Sequence, residues 1–268
     1  MTAETAMTSV ANLSVKIFAD GADLAGMVEM YRLPWIKGFT TNPTLMRKAG
    51  VRDYRAFARD VVRAIPDRPI SFEVFSDDFA EMEGQALEIA SWAPNVNVKI
   101  PVTNTRGDFA GPLVRRLSLA GVPLNITAVM TFDQVSAVVD ALAGDANAFV
   151  SLFAGRIADT GRDPLPIVAD SAARVKTRSK TELVWASPRE LLNIFQAEAA
   201  GCDIITVSND ILKKLDLVGK DLTAFSLETV AMFRDDAVKA GYAIGVAGTP
   251  MSSDRSVGAL KNGARKWM

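Results

Sequence analysis

Val96-Asn97-Val98-Lys99-Ile100-Pro101-Val102 is a short aliphatic strand interrupted by a lysine. Successive side chains of an extended strand face opposite sides. Val96, Val98, Ile100 and Val102 therefore suit a covering layer of helices, and Asn97 and Lys99 face the other way. The same alternation recurs elsewhere. Ile70-Ser71-Phe72-Glu73-Val74 sends Ser71 and Glu73 to the polar face, and Leu124-Asn125-Ile126-Thr127-Ala128 sends Asn125 and Thr127. Val150-Ser151-Leu152-Phe153 sends Ser151 and Phe153, Ile17-Phe18-Ala19-Asp20 sends Asp20, and Val184-Trp185-Ala186-Ser187 sends Ser187. Strands with one aliphatic face and one ionisable face fit a wall that is covered by helices outside and lines a polar centre inside.

Apolar runs of strand length fall at 15–20, 37–42, 70–76, 96–102, 123–130, 149–155, 182–187 and 204–208. Amphipathic stretches lie between them, among them 22–33, 54–65, 78–92, 132–142 and 190–200. Two helix starts read as capping boxes, Thr131-Phe132-Asp133-Gln134 and Ser187-Pro188-Arg189-Glu190, the second with proline at the first helical position. Gly201 is placed to stop the helix before it. Eight strand–helix units at roughly 20–35 residue spacing predict an α/β protein, a single (β/α)8 TIM barrel. An open doubly wound sheet is the second choice, weakened because no G-x-G-x-x-G follows any strand. One further amphipathic helix is expected over 224–240, packed on the barrel or reaching a neighbouring subunit. The expected organisation is a catalytic barrel domain over 1–246 with a loose leader at 1–13, then a flexible tail at 247–268.

Composition narrows the chemistry. The chain has no histidine, which removes Ser/His and Cys/His pairs and every His-ligated metal site. A single cysteine, Cys202, removes intrachain disulfides and Cys-cluster zinc sites, and reads as a small buried apolar residue. Neither a metal nor another cofactor is expected. Lys and Arg total 30 against 31 Asp and Glu, so bulk charge gives no reason to expect nucleic-acid binding. The longest uncharged stretch, 117–132, contains Pro123 and Asn125 and is too short for a membrane span. No secretory signal pattern opens the chain, and a reducing cytoplasm is the expected location.

Most of the inward polar residues come late in their strands, the end at which barrel enzymes keep their sites. Burying ions there costs on the order of several kcal/mol each unless they are paired. A polar-plugged barrel with a Lys–Glu bridge is the structural alternative, yet apolar layers would fill the space at lower cost. A lysine so placed serves either as a charge for phosphate or as an amine nucleophile for a carbonyl, since desolvation favours the free amine. Without histidine, an imine electron sink is the economical route to making or breaking a carbon–carbon bond, with Glu73 and Asp20 dividing the proton transfers.

Six segments together resemble the transaldolase family of class I, Schiff-base aldolases. They are KIFADGAD (16–23), GFTTNPTL (38–45), SFEV (71–74), VKIPVT (98–103), NIT (125–127) and SLFAGRIAD (151–159). A seventh, WASPRE (185–190), resembles the family's Ala-Ser-x-Arg turn, and the resemblance spans 15–243 in order. It implies that Lys99 forms the Schiff base with a ketose and that Asp20 moves the proton during carbon–carbon cleavage. It implies that Glu73, through a water held by Thr127, assists carbinolamine formation and dehydration. Asn42, Asn125 and Ser151 would bind the hydroxyls of a dihydroxyacetone unit. Arg156, Ser187 and Arg189 would hold a sugar phosphate, the last two at a predicted helix N-terminus that itself favours phosphate.

Several of these residues have plain structural alternatives: Asp20 as a strand-end cap, Asn42 as a turn residue before Pro43, Arg156 in a surface bridge with Asp159, and Ser187 as an N-cap. Two positions depart from the family pattern. Gly21 follows Asp20 where the family has Thr or Ser, and Ser208 stands where Pro is common. The resemblance implies transaldolase activity, with sugar-phosphate partners, in carbohydrate metabolism of the pentose phosphate type, and a homo-oligomer. A lyase of the fructose-6-phosphate aldolase kind, releasing dihydroxyacetone, is the alternative, as is a silent phosphosugar-binding barrel. The lyase branch tends to carry Gln where Glu73 stands and Tyr where Phe153 stands, so this chain carries the transferase pair.

Overall fold

The structure, a computed structural model, describes residues 12–244. Most of the expected leader, the domain boundary at 246 and the tail at 247–268 lie outside the described residues. The chain divides into two compact units, the first ending at Val218 and the second beginning at Gly219.

The first unit carries eight strands: β1 (Lys16–Asp20), β2 (Ile36–Thr40), β3 (Ile70–Glu73), β4 (Val96–Pro101), β5 (Leu124–Val129), β6 (Ala148–Leu152), β7 (Thr181–Trp185) and β8 (Ile204–Ser208). Each pairs in parallel with its sequence neighbour, and β8 closes on β1 from Lys16 opposite Ile204 to Asp20 opposite Ser208. That closure makes the fold a (β/α)8 TIM barrel and removes the open-sheet alternative. Between the strands run α1 (Leu24–Tyr31), α2 (Pro43–Lys48), α3 (Tyr54–Ala64), α4 (Phe79–Ala90), α5 (Gly111–Leu119), α6 (Phe132–Ala141), α7 (Ala154–Asp159), α8 (Leu165–Val175) and α9 (Leu192–Ala199). The short α10 (Asn209–Leu212) follows β8. The second unit holds α11 (Leu222–Lys239), the helix expected over 224–240.

Alternation explains the layers. Ile17, Phe72, Val98, Ile100, Ile126 and Val150 turn outward and are buried with the apolar faces of the helices, including Val61, Ile89, Leu117 and Val138. On the inner face, the barrel interior is filled by a separate apolar cluster of Phe18, Phe149, Val184 and Ile204. Phe18 and Phe149 meet edge to face at 5.8 Å. Gly38 on β2 makes room for that plug, because a Cβ there would stand 2.5 Å from the Phe18 ring. Asp23, Asn42, Asp53 and Asp78 cap α1 to α4 through their carboxylate or amide oxygens. The capping box at Thr131 and Gln134 forms as expected, and Gly201, at φ +70°, follows the end of α9.

Three local expectations are corrected. The run 149–155 is not one strand: β6 stops at Leu152 and α7 begins at Ala154, with the Phe153 amide donating to Val129 O at 2.8 Å. The run 37–42 ends as a strand at Thr40, leaving Asn42 to cap α2. Ser187 does not open a capping box. Its φ is +61°, α9 starts only at Leu192, and the amides of Arg189 and Glu190 donate to Asn193 Oδ1 at 2.7 and 3.1 Å. The Asn193 side chain, in place of Ser187, satisfies the amides ahead of the helix.

Candidate active site

The carboxyl ends of the strands surround a cavity of about 480 Å³ lined by Asp20, Asn42, Glu73, Lys99, Thr127, Ser151, Phe153, Arg156 and Ser187. Asn125 and Arg189, the other two expected site residues, do not line it. The apolar plug fills part of the interior, and the cavity lies at the face at which barrel enzymes work.

Lys99 stands at its centre, 6% exposed, in a strand whose other faces are aliphatic. Its Nζ lies 3.1 Å from Glu73 Oε2 on the neighbouring strand and donates to Thr41 O at 2.9 Å. The pairing follows from register, since Glu73 sits directly opposite Lys99 in the β3–β4 ladder. This arrangement offers an ammonium proton a carboxylate acceptor one hydrogen bond away, the requirement for unmasking an amine nucleophile. Glu73 is itself held from behind. Tyr54 on α3 donates its hydroxyl to Glu73 O at 3.0 Å and accepts from Glu73 N at 2.8 Å. Burial pushes the Tyr54 phenol well above its ordinary range, so it stays protonated and keeps both bonds.

Asp20 ends β1 on the same wall. Burial raises its carboxyl above the ordinary value, against the attraction of Lys99 and a hydrogen bond from Thr40, with Glu73 adding to the rise. Thr40 Oγ1 donates to Asp20 Oδ1 at 2.7 Å and is also hydrogen-bonded to Thr206 Oγ1. Thr40 and Thr206 both line the cavity, and neither was among the expected site residues. The signal for them is the same strand alternation that locates Lys99: Gly38 and Thr40 face inward on β2, and Ile204 and Thr206 on β8.

Beside Lys99, opposite it in the β4–β5 ladder, Asn125 belongs to a polar rung. Asn125, fully buried, donates through Nδ2 to Ser71 Oγ at 3.0 Å and accepts from Ser151 Oγ at 2.7 Å. Both ends of its amide are thus engaged. Asn42 Oδ1 accepts from Leu45 N at 2.9 Å as the cap of α2, and Asn42 also lines the cavity. Its turn role and a place at the site coexist.

Two rim residues have left-handed backbones, a conformation that costs a non-glycine residue on the order of 1 kcal/mol or more. Ala128, at φ +61°, sits where the β5–β6 register shifts between Ile126 and Val129, and Ser187, also at φ +61°, follows β7. The expectation that alternation along the strand sends Ser187 inward is corrected: Val184 faces the interior, β7 ends at Trp185, and the turn is what brings Ser187 to the cavity. Gly155 allows this approach, since a Cβ there would stand 1.5 Å from Ser187 O.

The two arginines differ. Arg156 lines the cavity and has no carboxylate partner among the described residues. Arg189 is ion-paired with Asp159 and reaches Gly155 O at 3.5 Å. The bridge to Asp159 that was the structural alternative for Arg156 is made by Arg189 instead, and Arg189 is not at a helix N-terminus as expected. Gly21 has open space where its Cβ would be, and it lines a hollow of about 310 Å³ together with Asp20, Lys48 and Ser208. Both departures from the family pattern thus meet beside Asp20. Cys202 is buried, and burial pushes its thiol up to about 12. Among the described residues no three His, Cys, Asp or Glu gather as metal ligands, and no helix is long and apolar enough to cross a membrane.

A family model described as transaldolase/fructose-6-phosphate aldolase matches residues 17–244. A protein of Dehalococcoides mccartyi named "Probable transaldolase" is 37% identical over 202 residues, which cover 75% of this chain and 90% of that protein. A "Probable transaldolase" of Thermoanaerobacter sp. is 35% identical over 231 residues, 86% of this chain and 100% of that protein. Another, from Methanococcus maripaludis, is 34% identical over 202 residues, 75% and 89% respectively.

Proposed function

Because the chain belongs to the transaldolase/fructose-6-phosphate aldolase family, we propose that it transfers a dihydroxyacetone unit from a ketose phosphate to an aldose phosphate through a Schiff base on Lys99. The observation that carries this reading is the buried Lys99–Glu73 pair at 3.1 Å in one cavity with Asp20. Glu73 takes the ammonium proton, and the free amine adds to the ketose carbonyl. The carbinolamine loses water to give an iminium ion, with Glu73 and Thr127 assisting the proton transfers.

The iminium then accepts the electron pair of the adjacent carbon–carbon bond. Asp20 removes the proton from the hydroxyl on the departing carbon, the aldose leaves, and an enamine remains on Lys99. An incoming aldose is attacked by that enamine, Asp20 returns its proton to the new alkoxide, and water releases the product ketose. The raised affinity of Asp20 for protons suits this two-way exchange. Asn42 and Ser151 orient the hydroxyls of the dihydroxyacetone unit, with Asn125 holding Ser151 in place. Arg156 and Ser187 receive the phosphate, and Arg189 joins them when phosphate replaces Asp159 as its partner. Phe153 puts an apolar ring beside the enamine, which favours transfer over release of dihydroxyacetone.

The catalytic domain spans 1–246, the barrel together with the leader and α11, and works in the cytoplasm as a homo-oligomer with sugar phosphates as its small-molecule partners. Borohydride reduction in the presence of fructose 6-phosphate adds a sugar-derived mass to the Lys99 peptide, and Lys99→Ala abolishes it. Labelling of a different lysine would overturn the assignment. A coupled assay with and without erythrose 4-phosphate separates transfer from release. Release of dihydroxyacetone by the wild type as fast as transfer would replace this reading with the lyase one.

A further inference from the structure

Asp20 has two oxygens, and the cavity wall treats them differently. Oδ1 receives the Thr40 hydroxyl at 2.7 Å. A threonine hydroxyl has one proton, so with that proton on Asp20 the contact between Thr40 and Thr206 requires Thr206 to be the donor. The three residues come from three adjacent strands, β2, β1 and β8, with Asp20 opposite Thr40 in the ladder. Thr40 and Thr206 are 3% and 6% exposed, so bulk water does not replace either bond freely. Thr206 has no other side-chain hydrogen bond among the described residues.

We propose that Thr206 is a positioning residue for Asp20, acting through Thr40. Its donated hydrogen bond commits the single Thr40 proton to Asp20 Oδ1 and leaves Oδ2 as the oxygen that exchanges a proton with substrate. The inference rests on the aldolase reading of the site. Each bond in such a chain polarises the next, so the Thr206 hydroxyl strengthens the bond that Thr40 makes to the carboxylate. The charged groups acting on Asp20 are Lys99 on β4 and Glu73 on β3, while Arg156 shares its cavity and Asp23, Lys48 and Asp210 share the adjoining hollow. Substituting Thr206 alters none of these charges, so a change in Asp20 behaviour reports the hydroxyl chain.

The test is the pH profile of kcat/KM for ketose-phosphate cleavage, read alongside borohydride trapping. Thr206→Val removes the hydroxyl at nearly constant shape; the acid limb moves up by about 0.5 pH unit, and the rate below the limb falls about threefold. Thr206→Ser restores the wild-type profile. In a Thr40→Val background, Thr206→Val produces no further shift, because its route to Asp20 is already cut. Should Thr206→Val not fold, Thr206→Ala deletes the same hydroxyl and is read in the same way. An unmoved limb, a shift that persists without the Thr40 hydroxyl, or a limb that survives Asp20→Asn would each overturn the proposal. If the wild type gives no trapped adduct on Lys99, the aldolase reading fails and takes this inference with it. If the adduct forms and the limb stays put, only the role of Thr206 is lost.

Discussion

At the scale of single residues, Asp20 carries a cost that its proposed role in proton exchange would explain. A carboxyl whose folded pKa is raised binds more protons in the native than in the unfolded state, between the unfolded value and the folded one. Stability therefore falls as pH rises through that window and stays lower above it. Asp20→Asn, which can still accept from Thr40, raises Tm at pH 7 and raises it less at pH 4, while abolishing cleavage. Equal effects at both pH values would assign the gain to something other than ionisation. Arg156 makes a second residue-scale case. Charge-assisted hydrogen bonds of roughly 1.5–3 kcal/mol are at stake at a phosphate. Arg156→Ala raises KM for phosphorylated ketoses at least tenfold and leaves KM for free dihydroxyacetone nearly unchanged; equal losses on both would remove Arg156 from the phosphate site. Phe153 tests transfer against release. Phe153→Tyr adds one hydroxyl beside the proposed enamine, and the ratio of dihydroxyacetone release to transfer rises, measured with and without erythrose 4-phosphate.

At the scale of elements, the end of β3 is held by a side chain from α3. Tyr54 packs against Phe72, Phe75 and Trp92 and clasps both backbone groups of Glu73. Tyr54→Phe keeps the ring packing and removes both hydrogen bonds, each contributing about 1 kcal/mol. The expected result is a lower Tm together with a kcat that falls more than KM changes, because Glu73 loses its fixed place opposite Lys99. The capping box of α6 provides the contrast. Thr131→Ala costs about 1 kcal/mol of stability and lowers Tm by about 2–4 °C without altering kcat or KM, since α6 supplies no group to the cavity.

At the scale of the whole molecule, α11 stands apart in character. None of its residues is buried, and Leu222, Leu227, Val230, Met232, Phe233 and Val238 are exposed along 18 residues. Apolar side chains on a helix can serve a protein–protein contact, and the proposed homo-oligomer would supply one. Sedimentation of the wild type should give a mass above the 28.8 kDa of one chain. Leu227→Glu with Phe233→Glu should lower that mass; a monomeric wild type would end the oligomer proposal.

The sequence by itself determined the wall of this barrel. Period-two alternation assigned Asp20, Glu73, Lys99, Thr127 and Ser151 to the inner face, and all five line the cavity, because strand geometry couples position directly to direction. The closed order of the strands was legible for the same reason: eight regularly spaced units with aliphatic outer faces bury those faces most fully in a ring. Side-chain partnership was not legible. Asn125 is engaged at both ends by Ser71 and Ser151, Arg189 is held by Asp159, and Thr206 reaches Thr40 across β1. These contacts join residues up to 166 positions apart, and no local pattern encodes them. Ser187 shows the boundary within one residue. Alternation sent it inward along a strand and local chemistry offered it as a helix cap, yet it reaches the cavity rim through a left-handed turn that Gly155 admits. Direction along a strand is a local property of the backbone, whereas the choice among competing hydrogen-bond partners is settled only when distant segments are brought within reach of each other.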